Sequence, residues 1–115
     1  MEEHVANELI DIDNFKKIRL RVGKVLSVEA VPKSKKLLRL SVDFGDVKRT
    51  VLSGISQYYK PEELKDKKMI FVFNLKPAKL MGEDSEGMVL CAQDDEGKLS
   101  VLTLDRDLQE GSEIS

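Results

Sequence analysis

Residues 38–53 read LRLSVDFGDVKRTVLS, and the alternation in this stretch decides the fold class. Apolar residues at every second position from Leu38 to Phe44 are separated by polar ones, as on a strand with one buried face. Gly45-Asp46 then supplies turn chemistry, and a return strand follows over Lys48–Ser53. The stretch therefore predicts an antiparallel hairpin and a β protein.

Further strand patterns flank this hairpin on both sides. Residues 18–31 alternate upstream of it, and residues 68–75 form a dense apolar run that suits a strand buried on both faces. Two more strands are predicted over residues 87–92 and 98–104, with a turn between them. The chain thus contains five or six predicted strands.

The first of these strands carries two further expectations. Gly23 in its middle predicts a bulge or a tight bend, as the corners of a small barrel require. Arg19 and Arg21 alternate with apolar neighbours, so both side chains are expected to face outwards.

Two short segments favour helix. Residues 61–64 begin with proline followed by two acids, which is the chemistry of a helix N-terminus. Residues 12–17 could form a helix capped by Asp13 or Asn14. One short helix between the third and fourth strands predicts an all-β, five-stranded OB-type barrel, with a small sandwich as the alternative. We expect the barrel over residues 12–104, between an N-terminal extension over 1–11 and a C-terminal extension over 105–115.

Charge is segregated along the chain, although the formal net charge is only −2. Residues 16–49 contain eleven Lys or Arg against three acids, whereas residues 83–115 contain ten acids against two bases. If the fold gathers the basic segment on one face, that face attracts a polyanion. The charge pattern alone leaves two interpretations open, a nucleic-acid interface and an ordinary solvated surface.

The sequence offers little catalytic chemistry. It contains one histidine, His4, and one cysteine, Cys91, which are too few for a common zinc site or a nucleophile–base pair. Cys91 lies in an apolar run, so we expect a buried structural thiol. A lone cysteine suits a reducing compartment, and no apolar stretch is long enough to span a membrane. We expect a cytoplasmic chain that is no enzyme on its own and has no metal or cofactor.

Several motifs, in order, resemble one known family. They are RVGKV at 21–25, VPKSKKLLRL at 31–40, YKPEEL at 59–64, NLKPAKLMG at 74–82 and SEGM at 85–88. Together they resemble the tRNA-binding OB-fold domain at the carboxyl end of bacterial methionyl-tRNA synthetases. The same module occurs as a free-standing tRNA-binding protein or a synthetase β subunit. A related family of secretion chaperones shares the fold.

The resemblance implies that the chain binds tRNA by its shape and phosphates, and that it assists methionyl-tRNA synthetase. In an OB barrel, the loop after the first strand and the loop after the fourth strand flank one binding face. The expected tRNA-binding residues are Lys33, Ser34, Lys35, Lys36, Arg39, Arg49, Asn74, Lys76, Lys79, Ser85 and Met88. Structural roles stay open for three of them: a strand cap for Asn74, a turn for Ser85 and a core position for Met88.

Apolar residues near both ends exceed what one small barrel requires. They are Leu9, Ile10, Ile12, Leu102, Leu104, Leu108 and Ile114. The resemblance implies pairing through such extensions, and a two-fold dimer is the commonest oligomer, so we expect a homodimer. The alternative is that these residues cover their own barrel. A second functional class, a chaperone or protein-interaction module, also stays open.

Overall fold

The computed structural model describes residues 8–115, so His4 and most of the predicted N-terminal extension lie outside the described residues. Over this range the chain forms two one-turn helices, α1 (Ile12–Phe15) and α2 (Pro61–Leu64), and ten strands. The strands are β1 (Leu20–Ala30), β2 (Leu38–Asp43), β3 (Lys48–Ser53), β4 (Lys68–Val72), β5 (Ala78–Leu80), β6 (Glu83–Ser85), β7 (Met88–Val89), β8 (Cys91–Gln93), β9 (Leu99–Val101) and β10 (Glu113–Ile114). No helix in the described part of the chain is long and apolar enough to cross a membrane.

Strand β1 organises the main sheet, which has the strand order β3-β2-β1-β4-β7 with β10 also paired to β1. The first half of β1 pairs with β4 through residues 20–24, and the second half pairs with β2 through residues 24–30. The register with β2 shifts between Val25 and Ser27, which marks a β-bulge. Such a long, bulged strand allows the antiparallel sheet to curl.

The last residue of β6 and the residue after it form hydrogen bonds to the free edge of β3. The N–H of Glu86 donates to the carbonyl of Thr50 at 2.8 Å, and the N–H of Thr50 donates to the Glu86 carboxylate at 2.9 Å. Two positions further along β3, the N–H of Leu52 donates to the Ser85 hydroxyl at 2.9 Å. These bonds satisfy the edge of β3 and complete the curled, OB-like sheet. The all-β fold class is confirmed, with its short helix between β3 and β4.

One cluster of buried hydrophobic residues packs inside the curled sheet. Its members come from β1 to β4, α2 and the strands after residue 88: Val25, Leu38, Leu40, Val42, Phe44, Val51, Ile55, Leu64, Met69, Phe71, Phe73, Val89 and Val101. At its centre, the Phe44 ring meets Phe71 and Phe73 edge-on, with centroids 5.4 and 5.0 Å away. Edge-to-face geometry is a favoured arrangement of aromatic rings.

Two features of the local chain differ from the sequence-based expectation. Helix α1 begins at Ile12 after Asp11, so the predicted caps Asp13 and Asn14 lie inside the helix. Cys91 is exposed, because β8 pairs only with β9 in a separate two-stranded hairpin. The prediction of a buried thiol was therefore wrong, although partial desolvation raises the pKa of that thiol.

Arg21 is buried, contrary to the expectation that it faces solvent; Arg19 is exposed as expected. The Arg21 guanidinium lies 4.4 Å from the centroid of the Phe73 ring. It donates to the carbonyl oxygens of Phe44 and Gly111 at 3.2 and 3.1 Å. The alternation rule failed here because an arginine head can stack on an aromatic ring and donate to several acceptors at once.

Gly23 lies where the core leaves no space for a side chain, and the bulge is further along β1. A Cβ at this position would lie 2.4 Å from Val42 Cγ1, 2.8 Å from Phe44 Cε1 and 2.9 Å from Phe71 Cδ1. All three neighbours belong to the fully buried part of the core. Close packing between β1 and the core therefore requires glycine here.

We expect Gly23→Ala to lower the free energy of unfolding by about 1–3 kcal/mol, at the upper end of this range, because the neighbours must move. Gly54→Ala is the matched control, since a Cβ at Gly54 meets nothing within 4 Å. We expect the control to change stability by less than about 1 kcal/mol. Urea denaturation of both variants measures the difference. Equal stability of the two variants would contradict the close-packing argument.

Candidate nucleic-acid interface

Two adjoining grooves lie beside the β5–β6 hairpin, residues 78–85, and the first of them separates it from the β1–β2 loop, residues 31–37. One has a volume of about 350 Å³ and is lined by Val31, Pro32, Lys33, Arg39, Met81, Gly82 and Glu83. The other has a volume of about 530 Å³ and is lined by Arg39, Thr50, Pro77, Glu83, Asp84 and Glu86. Because Arg39 and Glu83 line both, we treat the two as one feature and call it the loop groove. Segments far apart in the sequence thus border one surface.

The lysines of these segments are exposed. Lys33, Lys35, Lys36 and Lys76 form no ion pair within residues 8–115, and Lys33 lines the loop groove directly. Lys79 lies on β5 and pairs with Asp84 on β6 at 3.6 Å. An ion pair this exposed is weak, so it leaves Lys79 able to exchange Asp84 for another anion. Exposed ammonium groups of this kind are suited to phosphate as point charges.

Ser34 fixes the shape of the β1–β2 loop. Its Oγ accepts hydrogen bonds from the N–H groups of Lys36 and Leu37, both at 3.1 Å. The N–H of Ser34 donates to the carbonyl of Val31 at 3.0 Å, and the carbonyl of Lys36 accepts from Ser56 at 3.0 Å. The loop lysines are therefore presented by an ordered backbone.

Arg39 is engaged with carboxylates in the middle of the loop groove. Its Nε and Nη2 donate to the two carboxylate oxygens of Glu83 at 2.6 and 2.7 Å, and Nη1 donates to Glu29 at 3.1 Å. The hydrogen bonds from Arg39 lower the pKa of Glu83, and those to Glu83 and Glu29 raise the pKa of Arg39. A bidentate pair of this kind is directional. Arg39 thus joins β2 to β6, and its guanidinium is not free.

Arg49 is held by packing. Its guanidinium carbon lies 3.7 Å from the centroid of the Phe73 ring, on the ring that also contacts Arg21. Nη1 of Arg49 donates to the carbonyl of Phe73 at 2.5 Å and lies 3.4 Å from the carbonyl of Glu86. These contacts with other residues of the fold account for the half-buried position of Arg49.

Asn74 acts as a cap, which is the structural role that the sequence left open for it. Its Oδ1 accepts from the N–H of Arg19 at 2.8 Å, and its Nδ2 donates to the carbonyl of Lys17 at 2.6 Å. The side chain joins the end of β4 to the chain before β1. Both polar ends of the amide are used, although the residue is exposed.

Ser85 and Met88 differ sharply in exposure. Ser85 is only 3% exposed, and its hydroxyl accepts from Leu52 and donates to the carbonyl of Gly87 at 3.0 Å. The enclosed hydroxyl already donates and accepts within the fold, which disfavours the direct tRNA contact expected from the sequence; that contact stays a prediction. Met88 is 50% exposed, which excludes the core position considered for it.

The sequence analysis missed the β5–β6 hairpin and its exposed apolar tip. Leu80 and Met81 are 39% and 52% exposed, and Leu75, just before the hairpin, is 45% exposed. The sequence offered one signal for this hairpin, the Met81-Gly82 pair between the two short strands. It is weak, because a two-residue turn is usually recognised from Asn-Gly or Asp-Gly.

Comparison with known proteins identifies the family of this chain. A family model described as "Putative tRNA binding domain" matches residues 20–113. The chain belongs to this tRNA-binding domain family. It is 59% identical over 107 residues to the methionine–tRNA ligase of Methanocaldococcus jannaschii, and the match covers 93% of this chain. The chain spans only 16% of the length of that relative. The resemblance implied by the sequence motifs is thereby confirmed.

Solved structures show the same fold in two kinds of protein. A MetRS-related protein from Pyrococcus horikoshii superposes with a TM-score of 0.89 at 41% identity, over 94% of this chain and 99% of that one. The chaperone CsaA from Bacillus anthracis superposes with a TM-score of 0.84 at 29% identity, over 93% of this chain and 99% of that one. The tRNA-binding domain therefore has structural neighbours in both branches of the fold.

We expect Ser85→Ala to lower the free energy of unfolding by about 1–3 kcal/mol, because the buried N–H of Leu52 loses its acceptor. Affinity for tRNA should not change under conditions where the variant is folded. Urea denaturation and a tRNA titration test the two statements separately. Ser27→Ala, at an exposed position of β1, is the control. Lost affinity without lost stability would mean that the hydroxyl does reach the ligand.

Proposed function

We propose that this tRNA-binding domain grips tRNA at the loop groove, through phosphate contacts and backbone shape, and that it thereby assists methionyl-tRNA aminoacylation. The observation that carries the proposal is the position of Lys33 opposite the hairpin that bears Lys79, across one groove. Two clusters of exposed cations on separate segments can follow a ribose-phosphate backbone, and such contacts position RNA without reading its sequence.

Acidic residues in the lining of the groove restrict where phosphates can bind. Glu83, Asp84 and Glu86 line the groove, and Glu29 pairs with Arg39 beside it. The exposed lysines Lys33, Lys35, Lys36, Lys76 and Lys79, which we call the lysine rim, attract phosphates, whereas the acidic lining repels them. The groove lining contains no aromatic ring, which disfavours the base stacking used by unspecific single-strand binders. These features support recognition of a folded RNA with phosphates at suitable spacing.

The proposed role is docking, in which the chain makes and breaks no covalent bond. The ligase chemistry belongs to the catalytic part of a methionyl-tRNA synthetase, on the same chain or a separate one. Holding tRNA near that part raises its local concentration, as linked binding modules do. Work with a synthetase also suits the cytoplasmic location that we propose.

Reversing the charge of the β1–β2 loop should abolish tRNA binding and leave the fold intact. We expect Lys33→Glu, Lys35→Glu and Lys36→Glu together to weaken affinity by at least about 100-fold, because several phosphate contacts become repulsive. If about five phosphates are neutralised, log affinity of the unmodified chain should fall with log salt at a slope near −4. Titration of labelled tRNA across salt concentrations measures both quantities.

The control reverses three lysines elsewhere, with the same change in net charge. Lys60, Lys65 and Lys67 flank α2 and belong to neither segment that borders the loop groove, residues 31–37 or 78–85. This variant should keep most of the affinity and nearly the same salt slope. Equal losses in the two triple variants would show that only net charge matters. A salt-independent affinity of the unmodified chain would rule out phosphate recognition.

A second candidate function is protein binding, and the likeness to the chaperone CsaA favours it. The exposed apolar residues Leu75, Leu80, Met81 and Met88 offer contacts that an unfolded peptide could use. A competition experiment relates the two functions. An unfolded peptide should displace tRNA only if both ligands bind to this surface.

We also propose a homodimer formed by a second copy on the surface beside α1. Ile12, Phe15, Ile18 and Ile114 line an apolar groove of about 350 Å³ there, and Leu9 and Ile10 just before it are 85% and 67% exposed. This places Ile12 and Ile114 in one surface. Leu102, Leu104 and Leu108 lie outside this groove, and Leu104 lines a polar groove with Lys68 and Asp107 instead. The first group is the better candidate for a two-fold contact.

We expect Ile12→Asp to shift the chain from a dimer to a monomer of 13.0 kDa, because a charge would be buried in the apolar contact. Sedimentation velocity at micromolar concentration gives the result. Val47→Asp places the same charge on an exposed apolar residue of the β2–β3 turn and should leave the dimer intact. A monomeric unmodified chain would contradict the proposed dimer.

A further inference from the structure

Met81 occupies a turn position that ordinarily takes asparagine or glycine. Leu80 pairs with Glu83 in the β5–β6 hairpin, so Met81 and Gly82 form a two-residue turn. Their φ angles are +50° and +81°. Hairpin turns with positive φ at both central residues strongly favour Asn-Gly, because a side chain with an ordinary Cβ is disfavoured in the left-handed region. Methionine is thus a poor choice for the turn itself.

Packing does not explain the methionine either. Met81 is 52% exposed, and it is absent from the buried cluster that fills the barrel. A strained and exposed apolar residue contributes little to folding, and such residues occur preferentially at functional sites. The side chain lines the loop groove together with Lys33, on the opposite segment.

The base of the hairpin is held firmly. Arg39 grips Glu83 through two bonds of 2.6 and 2.7 Å, and the buried Ser85 hydroxyl accepts from Leu52 at 2.9 Å. Both contacts tie β6 to the main sheet, on neighbouring strands β2 and β3. These contacts therefore hold the turn that carries Met81 in a fixed position beside the groove.

We propose that Met81 is a nucleotide-contacting residue, whose side chain packs against an exposed base of the tRNA while Lys33 pairs with a neighbouring phosphate. The proposal rests on the proposed function and deepens it. An apolar thioether makes favourable contacts with aromatic rings, and methionine is among the side chains that proteins insert beside nucleic-acid bases. In tRNA, such bases are available where the chain is unpaired and the stack is open. The contact supplies apolar surface that the lysine rim lacks.

The test uses Met81→Asn, which replaces the side chain with the residue that the turn prefers. We expect opposite effects on folding and binding: the melting temperature rises, and tRNA affinity falls about tenfold. The slope of log affinity against log salt should stay the same, because an apolar contact releases no counterion when tRNA binds. Met81→Leu is the matched control; it keeps the apolar volume and should keep affinity within about threefold. Met81→Gly, which also suits the turn, should behave like Met81→Asn.

The outcomes separate this proposal from the proposed function. If the unmodified chain binds tRNA and Met81→Asn binds equally well, the Met81 contact is overturned while the lysine rim stands. Loss of affinity in Met81→Leu as large as in Met81→Asn also overturns it, and so does a loss accompanied by a shallower salt slope. If Met81→Asn loses binding to an unfolded peptide and keeps binding to tRNA, the turn serves a protein ligand and the proposal is wrong. Failure of the unmodified chain to bind tRNA removes the proposed function and this contact with it.

Discussion

The backbone groups at the edge of β3 need hydrogen-bond partners, and the residues that supply them determine where the loop groove, the proposed tRNA surface, forms. The side chains of Ser85 and Glu86 accept from backbone N–H groups of β3, in place of a regular strand. An unpaired edge would expose these groups and invite pairing with other chains. Because residues 85 and 86 are fixed at β3, the hairpin just before them is set beside the start of β2. The loop groove therefore results from the contacts that satisfy this edge of the curled sheet.

Three arginines, Arg21, Arg39 and Arg49, use their charges within the fold. Arg21 and Arg49 approach one ring, Phe73, and both donate to backbone carbonyls. Arg39 joins two strands through Glu83. Arginine is suited to this because its planar head stacks and donates in several directions, whereas lysine offers a compact point charge. These three arginines therefore brace the fold, whereas lysines such as Lys33 remain exposed.

The sequence predicts most of the framework and only part of the site. The β2–β3 hairpin and helix α2 follow from alternation and helix-start chemistry, and the strand over Lys48–Ser53 has the predicted bounds. Local patterns cannot show that Arg21 is buried or that the Ser85 hydroxyl is enclosed. Both depend on partners more than 20 residues away, Gly111 and Leu52. The β5–β6 hairpin was missed because its strands have three residues each and its turn lacks the usual asparagine.

If tRNA binds at the loop groove, as we propose, the distribution of charge around it explains how a mildly acidic chain can attract RNA and still discriminate. Attraction at a distance depends on the exposed lysines, whose field reaches roughly one Debye length, about 8–10 Å at physiological salt. Close contact is different, since the carboxylates that line the groove, among them Glu83 and Glu86, repel any phosphate that enters it. A flexible polyanion would place phosphates there, whereas a rigid folded RNA can span the rim. Selectivity for shape then requires no base-specific hydrogen bond, and the proposed Met81 contact would add affinity without adding charge.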